Sequence, residues 1–317
     1  MTLGLALEAL LGVLQGAAVF ALAPLFTGVM RKVKARTQKR VGASVLQPYY
    51  DLLKLVKKDE VVSENASWVF RAAPWVVCVS TLTAALFVPV FLPFSPLSVA
   101  GDVLVVLGLF ALARFFTMLA GIDAGSPFGG IGTSREMMFS SLVEPGIFLT
   151  VFVVSLTLGG TNLTSLIEAS ARSGAALVPS MIFGLIAFLL IVMAETGRIP
   201  FDNPATHLEL TMVHEAMLLE FSGRSLALME WAQSTKQLVL FGLLVNIFVP
   251  LGMPDSPDAG LLALGAGAVA VLLKVGALAA GVAFIETRVA KWRVFRLIDL
   301  LSLAVASGMV AMVFHYL

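Results

Sequence analysis

Residues 103–121 read VLVVLGLFALARFFTMLAG, an apolar run of 19 residues whose one charged side chain is Arg114. A run of this length and composition can cross the hydrocarbon core of a bilayer as a helix. A charge in that core costs roughly 3 kcal/mol, so a spanning helix keeps one only where it has a partner, a path to water or a function. Glu144, Glu195 and Lys274 lie in similar runs. These four residues indicate charge or proton movement within the membrane.

The composition is that of a membrane protein. Of the 317 residues, 59% are hydrophobic and 13% are charged, whereas a soluble domain carries about 25% charged residues. Long apolar runs, rather than short alternating segments, argue against a β-barrel. The sequence therefore predicts an all-α, polytopic membrane protein made of one membrane domain, residues 1–317. Its single cysteine, Cys78, cannot form a disulfide within the chain or ligate an iron–sulfur cluster alone.

Eight apolar runs are long enough to span a bilayer. They are Leu5–Val29, Val69–Pro93, Val103–Gly121, Met137–Leu158, Leu177–Glu195, Gln237–Met253, Leu261–Ile285 and Val294–Tyr316. Lysine and arginine concentrate in the cytoplasmic loops of membrane proteins. With eight spans, 16 of these residues fall in loops on one side and one, Arg172, falls on the other, while four lie in spans or at their ends. The asymmetry predicts that the basic side is cytoplasmic and that both termini lie outside.

Three stretches on the basic side are predicted to dock partner proteins: residues 30–68, 121–136 and 196–234. Within the first, Leu46–Lys58 is too short and too charged to span. Its pattern predicts an amphipathic helix in the interface plane, with an ordinary cytoplasmic helix as the alternative. The glycines and proline of Gly121–Glu136 favour irregular backbone, with Thr133 or Ser134 capping the helix that follows. The third stretch is rich in charged residues, and long ordered loops usually carry function.

The candidate chemistry lies in carboxylates. Glu144 precedes Pro145, where the fourth span is expected to kink and leave a carbonyl free. Glu195 ends the fifth span, and further acids follow it in the third loop: Asp202, Glu209, Glu215 and Glu220. Carboxylates joined by water can relay protons. The alternative is that the membrane acids pair with arginines and hold helices together, and that the loop acids are solvated or contact other subunits.

Two cations in the spans have different expected roles. Lys274 lies halfway along the seventh span, where its side chain cannot easily reach either surface, so it should pair with a carboxylate or titrate. Arg114 stays charged and is the better candidate for a fixed ion pair.

Motifs of soluble catalysis are absent from the sequence, which has no GxSxG, P-loop, HExxH or CxxC. His207 and His214 lie seven residues apart and on a helix would share a face with Glu209 or Glu215. Histidines near carboxylates are more often hydrogen-bonded than metal-bound, so we expect no metal here.

Four segments carry a resemblance to a known family. They are Arg36–Gly42 (RTQKRVG), Gly125–Glu136 (GSPFGGIGTSRE), Glu195–Asp202 (ETGRIPFD), and Lys274 with Arg288 and Arg293. Together they resemble the membrane subunit that joins the soluble arm to the membrane arm in complex I, where it is subunit 1 or H, and in membrane-bound group 4 NiFe hydrogenases. The second segment is most similar to the hydrogenase branch, which includes hydrogenase-4 and formate hydrogenlyase.

The resemblance implies a membrane-anchoring and coupling subunit without a bound cofactor, in a prokaryotic cytoplasmic membrane. Its partners would be antiporter-like membrane subunits, the lipid bilayer, and hydrogenase-like large and small subunits that hold iron–sulfur clusters and a NiFe centre. Nucleic acid is not among them. The proton path would comprise Glu144, Glu195, Asp202, Glu209, Glu215, Glu220 and Lys274. The structural ion-pair residues would be Arg114 and Arg198, and the docking residues would be Arg36, Arg40 and Arg135.

The sequence departs from the quinone-reducing members of the family after Asp202. Those members carry an acidic run there, whereas Ala205 and His207 replace two of the acids and Glu209 remains. The difference argues against a bound quinone and favours a hydrogenase-type complex. A quinone-binding subunit of a complex I-type NADH:quinone oxidoreductase stays an alternative. A stand-alone ion transporter is a third, although such transporters often show inverted repeats and this chain has no visible repeat.

Overall fold

The fold is built from helices, as the apolar runs predict. The computed structural model describes residues 2–92, 101–173, 178–202, 212–252 and 261–317, and it contains no β-strand within these ranges. The helices are α1 (Thr2–Thr37), α2 (Gln47–Val56), α3 (Trp68–Phe87), α4 (Val103–Asp123), α5 (Pro127–Leu158), α6 (Leu163–Ser173), α7 (Pro179–Glu195), α8 (His214–Leu218), α9 (Gly223–Phe248), α10 (Leu261–Arg288) and α11 (Val294–Tyr316). The predicted all-α architecture is confirmed.

The long helices make the chain a multi-span membrane protein. Among the described residues, six helices are long and apolar enough to cross a membrane: α1, α3, α4, α5, α10 and α11. The predicted fifth span is α7, an apolar helix of 17 residues. The predicted sixth span, Gln237–Met253, corresponds to the second half of α9, whose first half carries Arg224, Glu230 and Lys236.

α9 tolerates its polar residues because it lies inside the bundle rather than against lipid. It packs against α1, α2, α3, α6, α7 and α10, and every residue from Thr235 to Phe248 is buried. The side-chain amide of Asn246 donates to the carbonyls of Pro89 and Val90 at 3.1 and 2.8 Å. A buried polar group is stable when the protein itself supplies its hydrogen bonds. α9 therefore does not need the composition of a lipid-facing span.

The prediction of an irregular loop at Gly121–Glu136 is wrong. α5 begins at Pro127, with Ser126 as its N-cap, so Thr133 and Ser134 lie inside the helix and do not cap it. Serine at the N-cap followed by proline at the first helical position is a strong start signal. That signal outweighs the high glycine content of the stretch.

The glycines of this stretch serve close packing. A Cβ on Gly129 would lie 2.2 Å from the carbonyl oxygen of Gly121 on α4, and a Cβ on Gly132 would lie 2.9 Å from Ala216 on α8. Because only glycine lacks the Cβ that would collide, these positions let α5 approach two neighbours closely. The glycine-rich composition marks a tight helix contact here rather than a loop.

The third predicted docking loop, 196–234, is shorter than predicted. α8 forms a short helix within it, and α9 already begins at Gly223. Residues 203–211, which include His207 and Glu209, lie outside the described part of the chain. The stretch is therefore a helix-containing connection whose second part belongs to the central helix of the bundle.

Two short amphipathic helices accompany the long ones. α2 confirms the helix predicted within Leu46–Lys58: it packs on α1 and α9, buries Leu52, and leaves Leu53 and Val56 exposed. Exposed apolar side chains on such a helix fit the predicted place at a membrane interface. α6 has no counterpart among the predicted elements, because its 11 residues are too few to span. It buries Leu166 and packs on α5 and α9.

α1 contains Pro24 within its length. Proline has no N–H, so the carbonyl of Phe20, four residues earlier, loses its helical partner. The indole Nε1 of Trp231 on α9 donates to that carbonyl at 2.7 Å, and the two aromatic rings stack with centroids 4.5 Å apart. Tyr49 Oη of α2 donates to the next carbonyl, that of Ala21, at 2.5 Å. These bonds hold α1, α2 and α9 together.

Candidate functional site

A cluster of acidic and basic side chains lies where α4, α5 and α7 meet, with buried Arg114 at its centre. Arg114 Nη2 donates to Glu195 Oε1, and Nη1 donates to Glu144 Oε1 at 3.2 Å. Its Nε lies 3.9 Å from Glu136 Oε1. Arginine stays charged at any ordinary pH. One permanent cation therefore holds carboxylates from two other helices.

Lys236 of α9 adds a second cation to the cluster. Its Nζ lies 2.5 Å from Glu195 Oε2, so buried Glu195 has a positive group on each oxygen. Removing an ionised carboxylate from water is costly unless its charge is paired and hydrogen-bonded. Arg114 and Lys236 meet both conditions. This geometry favours the ion-pair role for Glu195 over that of a proton carrier.

The cluster has more negative than positive groups. Three carboxylates, Glu136, Glu144 and Glu195, face two cations, Arg114 and Lys236. Glu136 and Glu144 each contact one of the two cations, whereas Glu195 contacts both.

His214, at the start of α8, links the cluster to the connection that precedes it. Its Nδ1 lies 3.3 Å from Glu136 Oε2. Its backbone N–H and that of Val213 donate to Asp202 Oδ2 at 2.9 and 3.2 Å. Lys291 Nζ donates to Asp202 Oδ1 at 3.1 Å. Asp202 is therefore connected to Glu136 through the backbone and the ring of His214.

Two cavities meet at His214. The larger has a volume of about 940 Å³ and is lined by charges of both signs: Arg31, Lys34, Arg40, Arg198, Asp202, Glu215, Glu230 and Glu286. The smaller has a volume of about 50 Å³, and Arg114, Glu136 and Lys236 lie in its wall. Because one ordered water needs roughly 10–15 Å³, the smaller cavity has room for water. His214 and Gln233 line both cavities, so the buried cluster adjoins the large polar one.

Arg198 forms a second ionic group beside the large cavity. Its Nη1 lies 4.0 Å from Glu286 Oε1, and its Nη2 donates to Gln237 Oε1 of α9. Lys34 of α1 lies 3.4 Å from the other carboxylate oxygen of Glu286. Burial lowers the pKa of Arg198, Glu286 opposes that shift and Arg31 reinforces it. Arginine nevertheless stays charged, because its ordinary pKa lies far above neutrality.

The structure brings several predicted residues together. Arg114 and Glu195 are buried in the cluster, and Glu144 contacts Arg114 at its exposed edge. Asp202 reaches that cluster through its contact with the backbone of His214. The sequence predicts an ion pair for Arg114 and, separately, a chain of acids. In the fold, Arg114 is paired with two of those acids, Glu144 and Glu195.

Other predicted path residues lie apart from the cluster. Glu215 lines the large cavity, and Glu220 accepts a hydrogen bond from Ser126 Oγ. Lys274 donates a hydrogen bond to the carbonyl of Val249, at the end of α9, with a distance of 2.9 Å. Among the described residues, it forms no ion pair with the cluster. Glu209 lies outside the described ranges.

The predicted docking residues lie on different surfaces. Arg36 and Arg40 are exposed at the end of α1 and just after it, and Arg40 borders the large cavity. Arg135 Nη1 donates to the Met212 carbonyl at 2.7 Å, which ties α5 to the residues before α8. Their contacts with partner subunits stay predictions.

Sequence reasoning overlooks several residues of the site: Glu136, Lys236, Glu286 and Lys291. Glu136 becomes visible once α5 is taken to begin at Pro127, because it then lies about two turns before Glu144 on one helix. Lys236 carries a signal as a cation at the edge of a predicted span. The pairing of Glu286 and Lys291 with the residues after α7 has no local signal, since it joins segments far apart in the chain.

Within the described ranges, no group of three or more His, Cys, Asp or Glu side chains could hold a metal ion. His214 contacts Glu136 instead, and Cys78 is buried in α3. His207 and Glu209 lie outside those ranges.

A helical bundle with paired charges beside internal cavities is typical of membrane proteins that move charge. The sequence matches the family model described as NADH dehydrogenase over residues 9–316. It is 37% identical over 280 residues to formate hydrogenlyase subunit 4 of Escherichia coli (strain K12), covering 88% of this chain and 90% of that protein. It is also 37% identical over 261 residues to hydrogenase-4 component C of the same organism, covering 82% and 81%. NADH-quinone oxidoreductase subunit 8 of Rhodothermus marinus is 28% identical over 236 residues, covering 69% and 66%.

A solved structure shares the fold. A chain of the membrane-bound sulfane sulfur reductase (MBS), an archaeal respiratory membrane complex, matches with a TM-score of 0.81, covering 97% of this chain and 99% of that chain at 21% identity. The family match and the two Escherichia coli relatives show that this chain belongs to the NADH dehydrogenase subunit 1 family. The predicted resemblance is confirmed.

Proposed function

We propose that the chain is the membrane-anchoring and coupling subunit of an energy-converting oxidoreductase of the hydrogenase-4 or formate hydrogenlyase type, in a prokaryotic cytoplasmic membrane. In that role it links a soluble redox arm to proton-translocating, antiporter-like membrane subunits. Hydrogenase-like large and small partner subunits supply the iron–sulfur clusters and the NiFe centre, and this chain performs no redox step. The two Escherichia coli relatives, which match over 88% and 82% of this chain, support the proposal.

The observation that carries the proposal is a connected series of polar contacts from the large cavity to the middle of α5. It runs from Asp202 through His214 to Glu136, and then through Arg114 to Glu144. Because three carboxylates share two cations, the cluster can take up one proton and release it again without leaving a buried cation unpaired.

Glu144 is the expected exit of the path. Its side chain is 48% exposed on the isolated chain although it belongs to a spanning helix. Facing lipid, a charged carboxylate would cost roughly 3 kcal/mol, so we expect a polar group of a neighbouring membrane subunit to cover it. Phe148 and Phe152 are exposed on the same helix and supply apolar area for that contact.

The proposed mechanism is mechanical and electrostatic. Redox chemistry in the soluble arm changes charge or shape at the connection before α8, and Asp202 moves with it. His214 then shifts relative to Glu136 and passes a proton from cavity water into the cluster. Glu195 remains ionised and anchors the two cations. Arg114 keeps its charge, so the added proton crosses from Glu136 to Glu144 by way of water from the small cavity beside Arg114 and then leaves toward the antiporter-like neighbours.

The variants Glu144→Gln and Glu195→Gln, made in the intact complex, test the proposal. Both should retain dye-linked hydrogen oxidation, which takes place in the partner subunits, and lose proton translocation. Glu168→Gln is the matched control, because Glu168 pairs with Arg172 on α6 at 3.6 Å, outside the cluster. Proton translocation that survives in both variants would show that Glu144 is not the exit of the path and that the path does not need Glu195 as the anchor of its cations.

The large cavity supports a second candidate function, that of a quinone-binding subunit in a complex I-type NADH:quinone oxidoreductase. Its volume of about 940 Å³ falls in the range of small-molecule sites, and Pro48 and Leu52 of α2 border it. Sensitivity to quinone-site inhibitors and co-purification with quinone-reductase chains would favour this function. Purification of the chain alone as an active ion transporter would overturn both candidates.

A further inference from the structure

The end of α10 and the residues after it form hydrogen bonds to the turn at 198–202, which follows α7. Glu286 Oε1 accepts a hydrogen bond from the backbone N–H of Ile199 at 3.3 Å. Lys291 Nζ donates to Asp202 Oδ1 at 3.1 Å. We refer to these two contacts as the α10 clasp. It joins a spanning helix directly to the turn that carries Asp202.

A backbone contact lies between the two halves of the clasp. The N–H of Trp292 donates to the carbonyl of Pro200 at 3.5 Å. The turn is therefore held at Ile199, Pro200 and Asp202 by residues that lie within seven positions of one another, Glu286 to Trp292. Contacts at successive positions fix the orientation of a turn as well as its distance.

Arg198 closes a ring of contacts around the same turn. It lies 4.0 Å from Glu286 and donates to Gln237 of α9. Gln237 Nε2 lies 2.9 Å from Met30 Sδ of α1. Lys34, one helical turn after Met30, returns to Glu286 at 3.4 Å. The ring joins α1, α9 and α10 to the turn.

Glu286 is a buried acid that the proton path does not use. Its side chain is almost completely buried, and an unpaired carboxylate at such a position would be costly. Its oxygens face Lys34, the Arg198 guanidinium and the Ile199 N–H. Because these donors come from separate parts of the chain, the charge stays paired only while those parts keep their relative positions.

The other half of the clasp continues into the buried cluster. Asp202 receives Lys291 on one oxygen and the N–H groups of Val213 and His214 on the other. The ring of His214 lies 3.3 Å from Glu136. Asp202 thus connects the residues that follow α10 to His214, which lies beside the cluster.

We propose that Glu286 and Lys291 are positioning residues for coupling, which hold the turn where Asp202 places His214 against Glu136. This inference rests on the proposed coupling function. The inference adds a second carrier of the conformational signal, α10, to the connection before α8. A soluble arm that displaces the end of α10 would open the clasp and change the contact between His214 and Glu136.

Glu286→Gln and Lys291→Gln in the intact complex test the clasp with two readouts. Hydrogen exchange of the backbone amides at 196–202 reports how firmly the turn is held, and protons translocated per hydrogen oxidised report coupling. Both variants should raise the exchange rate of these amides roughly tenfold. They should lower the translocation ratio by about half or more while dye-linked hydrogen oxidation stays unchanged. Glu286→Asp keeps the charge, so its amide exchange rate and its translocation ratio should both lie closer to those of the wild type.

Arg288→Gln is the matched control, because Arg288 is exposed two residues after Glu286 and lies over the Phe284 ring at 5.2 Å. Both readouts should match the wild type. Unchanged exchange in the clasp variants overturns the clasp, and raised exchange with unchanged translocation overturns its role in coupling. If the complex with Glu286→Gln does not assemble, the two readouts of Lys291→Gln decide whether the clasp holds the turn and acts in coupling. A wild-type complex that translocates no protons refutes the proposed function, while the exchange rates still decide whether the clasp holds the turn.

Discussion

Arg114 of α4 donates a hydrogen bond to Glu195, the last residue of α7, and the two side chains are 6% and 4% exposed. Because both charges are removed from water, each depends on the other. Arg114→Met leaves Glu136, Glu144 and Glu195 short of a cation, and breaking a buried pair in this way costs about 3–5 kcal/mol. We expect a marked fall in the unfolding midpoint of the purified protein in detergent, measured by denaturant titration.

Arg172→Met is the control for that loss. Arg172 is 64% exposed and pairs with Glu168 one helical turn away on α6. Surface pairs of this kind contribute about 0.3–0.5 kcal/mol, so the midpoint should hardly move. Equal shifts in the two variants would contradict the central place of Arg114 in the bundle.

His214→Gln should separate proton transfer from electron transfer. Glutamine keeps a polar side chain and the backbone bond to Asp202, but its amide cannot carry out the proton transfer proposed for the imidazole. We expect proton translocation to fall roughly tenfold or more, with dye-linked hydrogen oxidation retained. His315→Gln is the matched control, since His315 of α11 contacts Thr157 at 3.3 Å and lies on another helix pair. Equal translocation in both variants would remove His214 from the path.

Gly223→Ala should destabilise the start of α9. Gly223 has φ +52, and a Cβ there would lie 2.7 Å from the carbonyl oxygen of Asp59. Strain and overlap of this kind cost about 1–3 kcal/mol. Gly108→Ala in α4 has nothing within 4 Å of the added Cβ, so its stability should be unchanged or slightly higher. Thermal unfolding in detergent distinguishes the two, and a Gly223→Ala protein as stable as the wild type would contradict the close approach.

Trp231→Phe tests the bond that compensates for Pro24. Phenylalanine keeps the stacking on Phe20 but loses the N–H that satisfies the Phe20 carbonyl. An unsatisfied buried carbonyl costs about 1–3 kcal/mol. Trp68→Phe is the control, because Trp68 is largely exposed at the start of α3. Unfolding midpoints should fall for the first variant alone, and equal midpoints would mean that α1 does not need this bond.

Much of the fold follows from local properties of the sequence. The predicted spans Val103–Gly121 and Val294–Tyr316 agree with α4 and α11 to within two residues at each end, because the length of an apolar run is a local quantity. The error at Gly121–Glu136 arises because glycine has two structural uses. It can loosen a backbone or let two helices touch, and only the approach of Gly129 to Gly121 on the neighbouring helix decides between them.

The composition and the apolar runs alone establish that this chain lies in a membrane and that its buried charges need partners. Both conclusions depend on the free energy of transferring side chains from water to hydrocarbon, which local composition sets. Which partners they have depends on how the helices pack. Arg114 and Glu195 lie 81 positions apart in sequence, and Glu195 meets Lys236 across another 41. Such pairs form because packed helices bring distant residues within a few ångströms, and that geometry is a property of the whole bundle.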